Sequence, residues 1–231
     1  AEQDNTLINT VEDFFEKARN NGLVAQLRER FYGHLEQLNY VGALTFMKHV
    51  KERLHRYEPL FREYARETGF DWRLLAAIGY QESHWRPNAV SPTGVRGLMM
   101  LTLSTARHVG ISNRLNPEQS IEGGARYFRR VYRKIPERIP EPDRTWFALA
   151  SYNVGFGHLE DARRLTEGAG QDPDRWMDVK EFLPLLAQKE WYSKTRYGYA
   201  RGHEPVLYVQ NIRRYLDFLV RLTEPDRKSV V

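Results

Sequence analysis

The sequence predicts a mainly α-helical fold interrupted by one small turn-rich loop or short β-hairpin. Three observations carry that reading. Apolar residues recur at spacings of three and four in nearly every segment, which places them on one face of a helix. Glycine, proline and short polar residues stand where such segments start and stop. Between Asn88 and Gly97 the periodicity vanishes, and Ser91-Pro92-Thr93-Gly94 marks turns instead.

The elements follow in order. Leu7, Val11, Phe14, Phe15 and Ala18 share a face, which predicts a helix over 7–19 that Asn20-Asn21-Gly22 stops. A short helix from about Val24 to Phe31 comes next, closed by Gly33. Leu44 to Tyr57 and Pro59 to Glu67 are expected as a pair divided at Pro59, because a proline ring does not fit a helix interior. Gly69 ends the second. Asp71 can cap the following helix, which ends in Tyr80-Gln81-Glu82-Ser83-His84-Trp85-Arg86. Beyond the turn-rich loop lies the apolar run Leu98-Met99-Met100-Leu101, then a helix from about Leu103 to Val109. Asn116-Pro117 is a cap and first-turn pair for a helix reaching Arg133. Ile135 to Pro142 holds three prolines and is expected to be an extended linker. Helices are expected at Trp146–Val154, His158–Leu165, Val179–Leu185 and Val206–Leu222. A polar loop spans Glu167 to Asp174, and a Tyr- and Arg-rich segment runs from Tyr192 to His203.

At 231 residues the chain is long enough for one large domain or a domain plus an appendage. Its 13 Tyr, 11 Phe and 5 Trp suit either a large core or platforms for sugar rings. No run reaches the length of a membrane span. The acidic, polar N-terminus has no apolar signal core, so a mature or excised fragment is expected. The absence of cysteine removes disulfides, thiolate nucleophiles and cysteine metal sites. A net charge of +5 suits nucleic acid, anionic lipid or an anionic wall polymer. No nucleic-acid motif accompanies it, and Arg129-Arg130 and Arg213-Arg214 read as solvated helix faces. His84, His158 and His203 do not stand at metal-ligand spacing, so no metal or other cofactor is expected.

The chemistry centres on Glu82. It falls seven residues after Leu75 and four after Ile78, on the face that packs inward. A carboxylate there is costly unless protonated or hydrogen-bonded. Such a site raises the acid's pKa, as a general acid near neutral pH requires. The alternative is a helix-end glutamate that swings out to solvent.

Three further segments complete a pattern: Gly97-Leu98-Met99-Met100, Ser151-Tyr152-Asn153, and Glu204 with Tyr208-Val209. Together with Glu82-Ser83 they resemble the lytic transglycosylases of bacterial cell walls, which show Glu-Ser, Gly-Leu-Met-Gln, Ala-Tyr-Asn and a late Tyr-Val pair in this order. The likeness runs from about Tyr40 to Leu219 and is closest to one branch of that family. Met100 stands where most members have glutamine, so an amide is missing, and Ser151 replaces alanine.

The resemblance implies a lysozyme-like fold of the goose-type or SLT kind, with the loop lining a cleft. It implies peptidoglycan strands and muropeptides as substrate and a periplasmic location attached to the outer membrane. It further implies cleavage of the MurNAc-β-1,4-GlcNAc bond without water to leave 1,6-anhydroMurNAc, with Glu82 as the single acid and base. Ser83 is expected to bind the substrate's peptide or a neighbouring backbone group, or simply to cap its helix. Gly97, Leu98, Met99 and Met100 are expected along the cleft. Met99 alone would read as core, and Gly97 as a turn. Tyr152 and Asn153 are expected to meet the sugar, the acetamido group falling to Asn153, whose alternative role is helix capping. Tyr208 is expected to orient Glu82 or to sit in the core. Tyr192, with Tyr197 and Tyr199, stacks on sugars or packs a loop. Residues 1–38 resemble the end of a solute-binding-like regulatory domain, followed by the catalytic domain at 39–231, and the missing N-terminal domain is an expected partner. A water-using muramidase and a non-catalytic wall-binding module are the competing functions.

Overall fold

The computed structural model describes residues 6–32, 40–92 and 94–224. Gly33, Thr93 and the expected domain boundary at 38/39 lie outside them. The described residues are mainly helical, with only the isolated antiparallel bridges Val90–Arg96 and Arg96–Leu101 as β-structure. The expected hairpin is therefore reduced to a bridged turn.

The centre of the fold is helix α5 (Trp72–Ser83), numbered after α1 (Thr6–Asn20), α2 (Leu23–Tyr32), α3 (Tyr40–Glu52) and α4 (Glu58–Thr68). Asp71 caps α5 by accepting a hydrogen bond from the Arg73 amide at 2.8 Å. Leu74 to Tyr80 are buried without a break, so α5 is a helix enclosed on all sides rather than an amphipathic surface helix. It packs on α4 and on the long C-terminal helix α12 (His203–Thr223). Gly79 lets the loop and α4 pack tightly on this helix. A Cβ there would meet Leu98, Phe61 and Met99 at 3.0–3.1 Å.

Around α5 stand α6 (Leu103–His108), α7 (Pro117–Tyr132), α8 (Asp143–Val154), α9 (Phe156–Gly168), α10 (Trp176–Phe182) and α11 (Lys189–Tyr192). Helix α8 packs against α7, α9 and α12. Asn116 caps α7, with Pro117 in its first turn, as the sequence predicts.

Three expectations are corrected. Pro59 does not divide two long helices. Helix α3 stops at Glu52, a 3-10 turn covers Leu54–Arg56, and Pro59 sits in the first turn of α4, where its missing N–H costs nothing. The segment 135–142 is not extended. Ile135 and Ile139 donate to Tyr132 and Pro136 carbonyls and bury their side chains, because proline's φ suits tight turns as well as extended chain. Arg213 is not solvated. It lies buried over the Trp146 ring and binds Glu29 of α2, which also pairs with Lys180 at 3.0 Å. Helix α1 forms as the sequence predicts; its apolar face is exposed at Leu7, Val11, Phe14 and Phe15, and Ala18 is buried.

The loop after α5 is held by its backbone. Ser83 Oγ donates to the Leu98 carbonyl at 2.8 Å, the Met99 amide donates to Ser120 Oγ at 3.0 Å, and Arg114 donates to the Leu101 carbonyl at 2.7 Å. Gly97 occupies φ +91, and a Cβ there would stand 1.9 Å from the Arg114 carbonyl oxygen. Gly97→Ala is therefore expected to cost about 2–4 kcal/mol, combining a left-handed φ with a backbone clash. Thermal or urea unfolding of the variant measures it.

Candidate active site

The buried run of α5 ends at Tyr80, and Gln81 and Glu82 follow it partly buried. The chain then turns sharply, with His84 and Trp85 both at positive φ, 52° and 55°. Trp85 is buried and donates its indole N–H to the Ala76 carbonyl at 2.8 Å, which over-determines this strained exit. The result is a carboxyl group delivered from the core into a cleft of about 610 Å³.

The cleft has three walls around Glu82. Helix α8 contributes Tyr152, Asn153 and Val154 at its C-terminus, followed by Gly155. The bridged loop contributes Ser91, Val95 and Met100, continued by Thr102 and Thr105 at the start of α6. Helix α7 supplies Tyr127, and the first turn of α12 supplies Glu204.

Tyr208 stands behind Glu82, one turn along α12 from Glu204. It is buried, and its hydroxyl donates to Glu82 Oε1 at 2.5 Å. Burial pushes the Glu82 carboxyl up to about 7, and the Tyr208 hydrogen bond, which favours the carboxylate, pulls it partly back. Tyr152 and Tyr208 stack at 6.4 Å, and both phenols are held well above their ordinary range by burial and by the neighbouring Glu82. They remain neutral hydrogen-bonding groups at any physiological pH.

Asn153 is exposed in the cleft, and its amide makes no hydrogen bond to another described residue. The helix end is closed by the Gly155 amide donating to the Ser151 carbonyl, so capping is not its role here. Met100 adopts φ 46, which turns it away from the core that Leu98 and Met99 enter.

Several expected cleft residues lie elsewhere. Leu98 and Met99 are fully buried, because the apolar run folds down onto α5 and α7. Met99 still contributes its carbonyl, which accepts from the Tyr152 hydroxyl at 3.3 Å. Ser83 is buried; its hydroxyl ties α5 to the Leu98 carbonyl of the loop and also bonds locally at the helix end, to the Gly79 carbonyl and from the Arg86 amide, so both its backbone and its local capping role are seen. Gly97 approaches the Arg114 carbonyl rather than the cleft. Tyr192 is not a cleft residue. It packs edge-on against Tyr199 at 5.7 Å. The sequence reading missed Tyr127, Ser91, Thr102, Thr105 and Glu204 as cleft residues. Tyr127 lies seven residues after the loop-holding Ser120, on the same face of α7, and that spacing was the available signal.

The raised Glu82 carboxyl has a consequence for stability. Between its ordinary 4.5 and about 7 the folded chain holds a proton that the unfolded chain has released. Stability therefore falls as pH rises through that window. Glu82→Gln removes the dependence and is expected to be about 1–3 kcal/mol more stable than the parent above pH 7, with the gain vanishing below about 4.5. Denaturant unfolding at several pH values measures it.

Comparison with known proteins places this architecture. Residues 59–174 match the transglycosylase SLT domain. The chain is 77% identical over 229 residues to the membrane-bound lytic murein transglycosylase F of Marinobacter nauticus, covering 99% of this chain and 46% of that protein. It is 62% identical to the protein of the same name from Stutzerimonas stutzeri, covering 98% and 47%. The chain thus spans about half the length of the curated relatives it matches. Among solved structures, the 70 kDa soluble lytic transglycosylase of Escherichia coli aligns with a TM-score of 0.52 and 28% identity, over 71% of this chain and 24% of that one. The helical fold is therefore lysozyme-like, as the motifs imply.

Proposed function

The chain belongs to the transglycosylase SLT domain family, and on that premise we propose that it is the catalytic module of a lytic murein transglycosylase. Its substrate is peptidoglycan, cut between MurNAc and GlcNAc, and its product end is 1,6-anhydroMurNAc. The observation that carries this reading is the setting of Glu82, a carboxyl held near neutral pKa at the base of the cleft.

Two-carboxylate glycosidases place a second acid across the bond from the first. The loop wall facing Glu82 offers none, since no Asp or Glu occurs between Glu82 and Glu118. The other carboxylate lining the cleft, Glu204, is exposed and pairs with Arg201 at 3.3 Å. This favours one group used twice. Protonated Glu82 donates to the departing glycosidic oxygen. The substrate's acetamido group steadies the cationic C1, with the free Asn153 amide in reach of the same cleft. Glu82, now a carboxylate held by Tyr208, takes the proton of the muramic 6-hydroxyl, which attacks C1 and closes the anhydro ring. The nucleophile is tethered to its target, so ring closure gains from proximity. Because the first step needs the proton on Glu82, kcat/KM is expected to fall as pH rises through about 7.

In the longer protein we place this module in the cell envelope, in the periplasm and attached to the outer membrane, with residues 1–38 as the end of a preceding regulatory domain. No helix among the described residues is long and apolar enough to cross a membrane. The test is digestion of purified sacculi and chromatography of the soluble fragments. Muropeptides without a reducing end support the reading. Fragments with reducing muramic ends identify a muramidase, and binding without release identifies a wall-binding module.

A further inference from the structure

Four helices meet at a buried polar cluster built around Arg213 of α12. Its guanidinium donates to the Glu29 carbonyl at 2.6 Å and to Glu29 Oε1 at 3.3 Å, and it lies 5.1 Å from the centre of the Trp146 ring on α8. Lys180 of α10 holds the second Glu29 carboxylate oxygen at 3.0 Å. Burial works against the Arg213 charge. Glu29 is the foremost group that sustains it, ahead of Asp217 on α12 and Asp143 on α8. A carboxylate from α2 thus clamps α12 to α8 and α10.

The two long helices clamped here also furnish the active site. Counting back from Arg213, α12 carries Tyr208, and counting on from Trp146, α8 carries Tyr152 and Asn153. At about 1.5 Å per residue these lie about 8–10 Å along each helix from the cluster. Tyr152 stacks on Tyr208, and Tyr208 donates to Glu82. An arginine this buried cannot be left without its carboxylate cheaply. Losing Glu29 draws Arg213 toward water or toward Asp143 and Asp217, and α12 shifts with it.

We infer that Glu29 is a positioning residue for the proposed reaction: through Arg213 it fixes α12 against α8 and so keeps the Tyr208 hydroxyl on Glu82. The inference rests on the proposed role of Glu82 and goes beyond it. It brings into the catalytic unit a helix that precedes both the expected boundary at 38/39 and residue 59, where the family match begins.

The experiment uses the whole chain and measures sacculus digestion, the melting temperature and the titration of Glu82. The last is followed by NMR of isotope-labelled glutamate carboxyls and assigned by the signal missing in Glu82→Gln. In Glu29→Gln, kcat is expected to fall about three- to tenfold with KM changed less than twofold, because geometry rather than binding is lost. Glu82 is expected to titrate at higher pH, as the Tyr208 bond loosens. Glu29→Asp is expected to keep most of the parent kcat. Arg213→Met should reproduce the Glu29→Gln effects, and the double variant should be no worse than either single one, since the two residues act as one unit. The double variant also leaves no buried charge unpaired at position 213, so it decides the matter if Glu29→Gln does not fold. A lower melting temperature with parent kcat and parent Glu82 titration overturns the inference, as do additive losses in the double variant. A parent that releases no muropeptides sinks the enzymatic reading instead. The Glu82 titration then judges the clamp alone: an upward move in Glu29→Gln supports it, and an unmoved one overturns it.

Discussion

Glu82→Gln is expected to lower the release of muropeptides by about 10²- to 10⁴-fold, the usual worth of a positioned general acid and base. The amide keeps the shape of the side chain and can still meet the Tyr208 hydroxyl, which stands 2.5 Å from the Glu82 carboxyl. It cannot give up a proton to a leaving oxygen or take one from an alcohol. Binding of glycan should survive, because the α8 wall, the loop wall and Tyr127 are untouched. The same substitution removes a carboxyl that burial makes costly to ionise. One variant should therefore be less active and more stable at neutral pH, the signature of a group kept for chemistry. Sacculus digestion together with unfolding curves on the same preparation checks both halves. Loss of activity accompanied by loss of stability would point to misfolding instead.

Tyr208→Phe is the second large expectation. The hydroxyl donates to Glu82 Oε1 and favours the charged carboxyl. Its removal leaves burial unopposed, so the Glu82 pKa moves further up and the alkaline limb of the pH profile shifts to higher pH. The carboxylate formed after the first proton transfer also loses its partner. A hydrogen bond to a charged group is worth about 1.5–3 kcal/mol, so kcat is expected to fall about 10- to 100-fold. A tyrosine serving only the core would lower the melting temperature without moving the pH profile, so the two measurements together separate the roles.

Much of this site was legible because it depends on short-range pattern. The Leu75, Ile78 and Glu82 spacing requires only that α5 be a helix, and the carboxyl stands against Tyr208 at the cleft. Asp71 and Asn116 announce their helices by local hydrogen bonding, which needs no knowledge of the tertiary fold. The loop was harder. Gly97, Leu98, Met99 and Met100 form one motif, yet their backbone angles send them to different places. Met100 reaches the cleft while Leu98 and Met99 enter the core. That division is set by Ser83, Ser120, Arg114 and Tyr152 binding loop carbonyls and amides from distant elements. Sequence periodicity carries no record of such long-range contacts. Arg213 was misread for the same reason, since a charged residue on α12 is buried only because Glu29 arrives from α2. The prolines between Ile135 and Pro142 restrict φ without choosing between turn and extended chain, and packing of Ile135 and Ile139 made the choice.

The proposed mechanism is decided by the source of the oxygen at the new muramic end. Digestion of sacculi in water enriched in heavy oxygen, followed by mass spectrometry of the soluble muropeptides, reads this directly. Products lighter by one water and free of label are expected, since the attacking oxygen is the sugar's own 6-hydroxyl. Labelled, reducing muramic ends would show that water is the nucleophile and would contradict it.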